Sequence, residues 1–442
     1  MRNTIRFLRF RVALLALLAY SVPLRAQTTS APATNRFVDS DHGLTEMDLV
    51  ARALANNPSL AAQRQTIESA KGAVAQARLR ANPSLSVGGL KEVNGDDSRF
   101  NVGAEVPLEL FGRRARRTEV AAQKLNSTRE TVSDNERVLT GEVRMRFADT
   151  LAAVRNLEFV EQLLQANREF LKLMEDRVRE GAVPVLDADE VRVEVHRIES
   201  LRIDYQAKAE IAMLALKEAA GLPPEEELQL KGSLEQAPLS PDKAQLLERA
   251  LSHRPDLAAQ RANEAMSAAG LRQLQAEAKP DASLSASYER PNSGFAFSAF
   301  DAAGNLQPIR QTFNYAVFGI RWTLPIFDRN QGSIVAAKAD INSARNQVAA
   351  VDLTLRHEVT QSLVRYQASL ERVTLYRRGV RDQAARNLDV VQQTYGYGRI
   401  PLLDVIAEQR RYIDIETGYT DILFDAYVSR IALEKAVGTS LP

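Results

Sequence analysis

From Leu125 onward, apolar residues recur at steps of three, four or seven: Val132, Leu139, Val143, Phe147, Leu151, Val154, Leu157, Val160, Leu164, Leu171, Met174 and Val178. That spacing is one face of an α-helix held for many turns. Pro107 precedes the run and the next proline is Pro184, so no helix breaker interrupts it. The pattern predicts a helix of about 70 residues, roughly 100 Å long. Globular helices run about 8–20 residues, so an ordinary domain has no use for this length. The run breaks at Gly181-Ala182-Val183-Pro184, and a second proline-free run continues to Gly221. The object is a long helical hairpin with its tip at residues 179–186. A hairpin of this kind buries one stripe per helix and needs neighbours.

Elsewhere the period changes to two. Val102, Ala104, Val106 and Leu108 share one face of a short segment, with Gly103 and Glu105 opposite. Ala316, Phe318, Ile320, Trp322 and Leu324 share a face of another, opposed by Tyr315, Val317, Gly319, Arg321 and Thr323. Alternation of this kind marks strands. At about 10 residues each they match a tilted transmembrane β-strand, and Phe100, Phe111, Phe313 and Phe327 flank them where interface girdles lie. Hairpins of a soluble domain are the other reading.

The chain is written twice. Leu54-Ala-Asn-Asn-Pro58-Ser-Leu60-Ala-Ala-Gln-Arg64 returns as Leu251-Ser-His-Arg-Pro255-Asp-Leu257-Ala-Ala-Gln-Arg261, an offset of 197. Gly181-Ala-Val-Pro184-Val-Leu-Asp187 returns as Gly398-Arg-Ile-Pro401-Leu-Leu-Asp404, an offset of 217. Val106-Pro107-Leu108 answers Leu324-Pro325-Ile326, and Ala220-Gly221 answers Val437-Gly438. The second copy therefore carries an insert near residues 286–312. Repeats of this size are best found before a fold is assigned. The first repeat, 44–221, reads as a helix (46–80), a β-hairpin (83–108), a long helix, the tip and a return helix. The second, 245–442, reads as a helix (243–278), a hairpin (281–324) with a polar loop, a long helix, a tip at 396–403 and a return helix. Residues 222–244, rich in Pro and Glu, read as a connector.

The N-terminus suggests export. Arg2, Arg6, Arg9 and Arg11 precede a short Ala- and Leu-rich stretch, and Leu24-Arg25-Ala26 ends in a small residue. Residues 1–26 read as a signal peptide; a membrane anchor is the other reading, but the apolar run falls short of the ~20 residues needed to span. Residues 27–43 read as a flexible leader. With no cysteine in the chain, disulfides and thiolate metal sites are excluded. A net charge of +1 points to no nucleic-acid partner.

Four strands cannot close a barrel, and lipid tolerates no open edge. If the strands span a membrane, several protomers must share one barrel, and their hairpins then form a tube. The fold class expected is α+β, mainly α, with duplicated hairpins.

The stretches Asn57-Pro58-Ser59-Leu60, Ala81-Asn82-Pro83-Ser84-Leu85, Val106-Pro107-Leu108-Glu-Leu-Phe-Gly-Arg-Arg114 and Leu324-Pro-Ile-Phe-Asp-Arg-Asn-Gln-Gly332 resemble the TolC family of outer-membrane efflux channels. The likeness covers residues 44–440, and two of these stretches look most like the CzcC-type branch that serves heavy-metal efflux. The resemblance implies a homotrimer with a 12-stranded barrel, four strands from each chain, above a periplasmic α-barrel. It implies a passive conduit, not an enzyme, without cofactor, working with a periplasmic adaptor and an inner-membrane pump of the resistance–nodulation–division kind. Cargo remains open between metal cations, drugs and secreted protein, and a pore-less periplasmic coiled-coil scaffold is the competing class.

The resemblance also implies site residues. Asp187, Tyr395, Arg399 and Asp404 fall at the tips, where the family places its gate. Ile400 and Ala407 stand where a gate arginine and a second acidic residue can occur. Gly181, Val183, Pro184, Gly398, Ile400 and Pro401 mark the adaptor-docking tips. The two aspartates also suit helix starts, where the dipole favours them. Arg113, Arg114, Arg116 and Arg117 form a basic cluster beside the strands, either a solvated face or a contact to outer-membrane lipid head groups. Phe318, Ile320, Trp322 and Leu324 form the lipid-facing strand. His42, His196, His253 and His357 have no ligand-like spacing, and no metal site is expected.

Overall fold

The computed structural model describes residues 36–441. The expected signal peptide lies outside the described residues, as does the leader before residue 36. The leader's end is not free: Phe37 is buried, and residues 37–44 are strapped to the connector. Leu230 N donates to Phe37 O at 2.8 Å and Asp39 N to Leu230 O at 3.0 Å. An apolar side chain that reaches the core outweighs the local Ser/Thr/Pro composition.

The element order repeats. Helices α1 (Glu46–Asn56) and α2 (Pro58–Arg78) lead to strands β1 (Ser84–Lys91) and β2 (Ser98–Pro107). Then come α3 (Arg113–Arg179) and α4 (Val185–Ala220). The second copy runs α5 (Lys243–His253), α6 (Pro255–Glu277), β3 (Asp281–Phe300), β4 (Leu306–Thr312) and β5 (Tyr315–Thr323). It ends with α7 (Gln331–Leu375), α8 (Asp382–Gly396) and α9 (Leu402–Val437). At 67 residues, α3 is the long helix that the periodicity announces.

Three further expectations need correction. The leading helix of each copy is two helices, because Pro58 and Pro255 have no N–H and force the preceding residue into extended backbone. In the first copy the break is capped by Asn57, whose Oδ1 accepts from Ser59 N and Leu60 N at 3.0 and 3.2 Å. In the second copy Arg254 occupies that place and caps nothing. Its buried guanidinium instead donates to Asp256, to Glu358 at 2.9 Å and to Ala436 O at 2.9 Å. Second, the insert near 286–312 is not a polar loop: β3 runs on to Phe300 and pairs there with β4. Third, the second long helix is not continuous. A π-helical turn, Tyr376–Arg381, separates α7 from α8, while the matching stretch of α3 stays α-helical. The turn sets Tyr376 flat against Tyr419 of α9, ring centroids 6.2 Å apart, and brings Arg381 to Glu416 at 2.8 Å.

Three apolar clusters hold the helices together. The largest joins Phe147, Leu151 and Leu157 of α3 to Leu49, Leu216, Leu230, Tyr419 and Leu423. A second packs Leu246 and Leu257 on Leu355, Tyr366 and Leu433. The third lies near the tips, where Val160, Leu164 and Met174 meet Val191, Ile198, Leu402 and Val405.

The sheet is antiparallel. β1 pairs β2, β2 pairs β3, and the first half of β3 pairs β5 while its second half pairs β4. The register sets Val87, Val102 and Tyr288 side by side, then Leu85, Ala104, Ala286 and Phe318, then Val106, Leu284 and Ile320. One face is thus apolar across all strands, and it is bare: Phe318 is 79% exposed. The other face carries Ser84, Ser86, Gly103, Ser283, Ser285, Ser287 and Gly319, with Glu105 and Arg321 paired at 3.0 Å. β1 and β5 each have one edge without a partner strand among the described residues.

Candidate functional site: the tips of the two hairpins

Both hairpins close by the same device. Gly181 (φ 71°) and Gly398 (φ 68°) take the left-handed conformation that only glycine adopts at little cost. Gly181 N donates to Val178 O and Ala182 N to Arg177 O, at 3.0 and 2.9 Å. Gly398 N donates to Tyr395 O and Arg399 N to Thr394 O, at 2.8 and 3.2 Å. These bonds satisfy the terminal carbonyls of α3 and α8. Pro184 and Pro401 then start the return helices, and Asp187 and Asp404 fall in their first turns.

The tips do not sit apart. Tyr395 of α8 is half-buried against α3, edge-on to Phe170 at 6.4 Å, and its hydroxyl donates weakly to Met174 Sδ at 3.8 Å. Burial first, and then the negative charge of Asp187, pushes the phenol pKa up. Tyr395 of the second hairpin thus packs on the first and feels the charge of Asp187, with no hydrogen bond joining the two among the described residues. Arg399 and Asp404 are exposed, and neither side chain has an ion-pair partner among the described residues. Val183 and Ile400 pack onto the tip cluster, while Gly181, Pro184, Gly398 and Pro401 stay exposed.

A stronger link escaped sequence reading. Glu194 of α4 has a side chain only 1% exposed, yet it is charged. It accepts from Arg197 one turn on, at 2.5 Å, and from Arg410 of α9 at 2.8 Å. Burial raises its pKa, but the two guanidinium groups overcome that and hold the carboxyl below the usual range. The available signal was position: Glu194 sits three residues after Val191, on the buried stripe. Further up, Glu416 of α9 accepts from Arg381 and from Tyr412, at 2.8 and 3.0 Å. Burial, then this carboxylate, pushes the Tyr412 phenol up to about 12. Between the tips and Glu194 lies a cavity of about 270 Å³ lined by Asn167, Phe170, Glu194, Tyr395 and Gln409.

The basic cluster is mostly spent inside the chain. Arg113 donates to Glu277 O and Lys279 O, at 3.0 and 2.6 Å, and pairs with Asp281. Arg117 donates to Ala77 O and Leu79 O, at 3.2 and 2.9 Å, and pairs with Glu109. Each arginine thus caps the end of a helix entering the sheet, Arg113 that of α6 and Arg117 that of α2. Arg116 pairs with Glu119 at 2.9 Å, which leaves Arg114 exposed. Phe318, Ile320 and Trp322 lie together on the bare face of β5, and Leu324 follows just beyond its end.

No helix among the described residues is long and apolar enough to cross a membrane. An open sheet with one apolar face, carried on two long helical hairpins, defines a membrane channel subunit of the export type. Comparison makes the class specific: residues 49–222 and 246–439 match the outer membrane efflux protein family, and the chain belongs to it. It is an outer-membrane transport protein, not an enzyme. Among curated relatives, it is 23% identical over 396 residues to the cobalt-zinc-cadmium resistance protein CzcC of Cupriavidus metallidurans, covering 89% of this chain and 90% of that one. It is 27% identical over 423 residues to outer membrane protein OprJ of Pseudomonas aeruginosa, covering 88% and 83%. Among solved structures, CusC superposes with a TM-score of 0.72 at 19% identity, covering 92% of this chain and 94% of that one.

Proposed function

We propose that three copies of this chain form a passive conduit through the outer membrane, and that the conduit serves a tripartite pump exporting heavy-metal cations. The observation that carries the reading is the sheet. It offers four spanning strands, an exposed apolar face and two unpaired edges. Lipid covers the apolar face, and neighbouring copies pair the edges, which completes a 12-stranded barrel. The Ser- and Gly-rich face then lines the lumen. A soluble scaffold would leave both the face and the edges bare in water.

The helical hairpins of three protomers form the periplasmic tube, with the tips at its far end. The exposed Gly181, Pro184, Gly398 and Pro401 offer the docking surface for a periplasmic adaptor, which couples the tube to an inner-membrane pump of the resistance–nodulation–division type. Three copies of Asp404 around a narrow axis attract cations and repel one another, so they select cargo charge and bias opening. The printed name of CzcC favours cobalt, zinc or cadmium as cargo. The remaining lipid-facing role of the basic cluster falls to Arg114.

The test is single-channel conductance of purified protein in planar bilayers, wild type against Asp404→Ala. A cation-selective pore that loses selectivity in the variant supports the conduit and the tip assignment. Folded protein that never inserts sinks the conduit.

A further inference from the structure

The insert that distinguishes the second copy has no role in closing the barrel. Beyond Gly294 the β3–β4 ribbon leaves the four-strand sheet, and it turns at Asp301–Asn305, where Gly304 N donates to Asp301 O at 3.0 Å. It projects from the sheet end opposite the helices, since β2 enters α3 through Pro107 at the other end.

The ribbon is apolar where water-exposed ribbons are polar. Phe297 is 73% exposed; Phe300 and its cross-strand partner Leu306, on the opposite face, are 74% and 63% exposed. A two-stranded ribbon alone is at best marginally stable in water, so these side chains need a partner.

Register decides which partner. Gly294 faces Arg310 and Ser298 faces Pro308, so residues 295–297 oppose Ile309 alone, in a bulge. Tyr315 alternates with Gly319 and Arg321 on the polar face of β5. Phe313 stacks on Tyr315 at 6.1 Å, and Phe295 meets Phe313 edge-on at 6.4 Å. The aromatic column therefore climbs the polar face. Pro308 shares a face with Arg310, so Ser298 shares one with Gly294, and Phe297, the last residue of the bulge, takes the opposite, polar face. Lipid outside the barrel cannot reach that face. The root of the ribbon is held: Arg310 pairs with Asp96 at 2.9 Å, and Gly294 N donates to Asp97 Oδ1 at 2.8 Å. Bulges bend strands.

Reach completes the argument. A barrel of 12 strands, spaced ~4.8 Å and tilted ~40°, has a radius of ~12 Å. From Gly294 the backbone advances roughly 10 Å to Phe297, and the phenylalanine side chain extends further, so the ring reaches the neighbourhood of the axis.

We propose that the three β3–β4 ribbons of the trimer lean over the lumen and meet through Phe297, forming an aromatic constriction at the outer mouth, remote from the tips. The occupant of the bare aromatic surface is thus a second copy of this chain. The inference rests on the trimeric conduit with its polar face inward.

The chain has no cysteine, so single substitutions report cleanly. Phe297→Cys is compared with Leu284→Cys on the lipid-facing side, both in detergent-purified trimers identified on unboiled gels. Mild oxidation is expected to give reducible dimers of Phe297→Cys only. Phe297→Ser is expected to raise single-channel conductance in planar bilayers. Trimers of Phe297→Cys that give no cross-link overturn the constriction and leave the conduit standing. Wild-type protein that gives no trimers overturns the conduit itself.

Discussion

Glu194 of α4 and Arg410 of α9 meet at 2.8 Å, with the carboxylate almost wholly buried and the guanidinium half in solvent. This pair ties the first hairpin to the second about two turns from the tips. Arg410→Ala leaves Glu194 with Arg197, so the loss is modest, about 1 kcal/mol. A change of that size moves a closed–open equilibrium about fivefold. Bilayer recordings of Arg410→Ala should show a higher open fraction than wild type. An unchanged open fraction would remove the pair from gating.

The same carboxylate makes the tip acid-sensitive. Its pKa is depressed in the folded chain, so its contribution to stability is present above the unfolded value of about 4.3 and is lost as pH falls through the folded value below it. Asp256 is depressed in the same sense: burial opposes ionisation, and Arg254 overrides it. Thermal unfolding should therefore be flat near neutrality and drop below about pH 4. Glu194→Gln should weaken the drop.

Arg254 marks where the second copy replaced a cap with a buried ion cluster. Truncation strands Ala436 O and leaves Asp256 and Glu358 without their shared cation. Arg254→Ala should cost about 3 kcal/mol. Asn57→Ala at the matching position of the first copy should cost about 1 kcal/mol. Melting temperatures of the two variants give the order, and equal losses would refute the asymmetry.

At Gly398 an added Cβ meets nothing within 4 Å, so only backbone conformation resists substitution. Gly398→Ala should cost about 1 kcal/mol, and Gly398→Asn less, because asparagine tolerates the left-handed region. Chemical denaturation measures both. A larger loss for asparagine would show that the tip surface, rather than its dihedral angle, requires glycine.

The two faces of β5 should respond oppositely. In the proposed barrel Phe318→Arg places a cation in lipid at about 2–4 kcal/mol and should impair insertion. Val317→Arg, one residue away, points into the proposed lumen and should insert normally. Membrane fractionation distinguishes them, and equal insertion would contradict the face assignment.

Much of this was legible beforehand, for a physical reason. Helical hairpins and strands write their period into the sequence, and the tip glycines and prolines write its ends. The division of labour within the strands was legible too, since Phe318 and Arg321 differ in parity. What escaped was whatever depends on a distant partner. Glu194 reads as one more charge until Arg410 arrives from α9. The π turn at Tyr376–Arg381 has no local signature; its side chains are fixed against Tyr419 and Glu416. Phe37 looked like part of a loose leader because its pocket is built from other elements. The arginines at the start of α3 read as either a solvated face or a contact to lipid head groups, since the backbone carbonyls that Arg113 and Arg117 meet cannot be seen in a sequence.

The bare edges of β1 and β5 make each subunit an unfinished object. A monomer inserted alone would expose a row of unpaired amides to hydrocarbon, so insertion and association have to occur together. In the proposed trimer, assembly is then steeply concentration-dependent, and a subunit with one spoiled edge halts the two sound copies beside it. Co-expressed with wild type, such a subunit would act as a dominant poison: if subunits mix freely in equal amounts, only about one trimer in eight would be free of it.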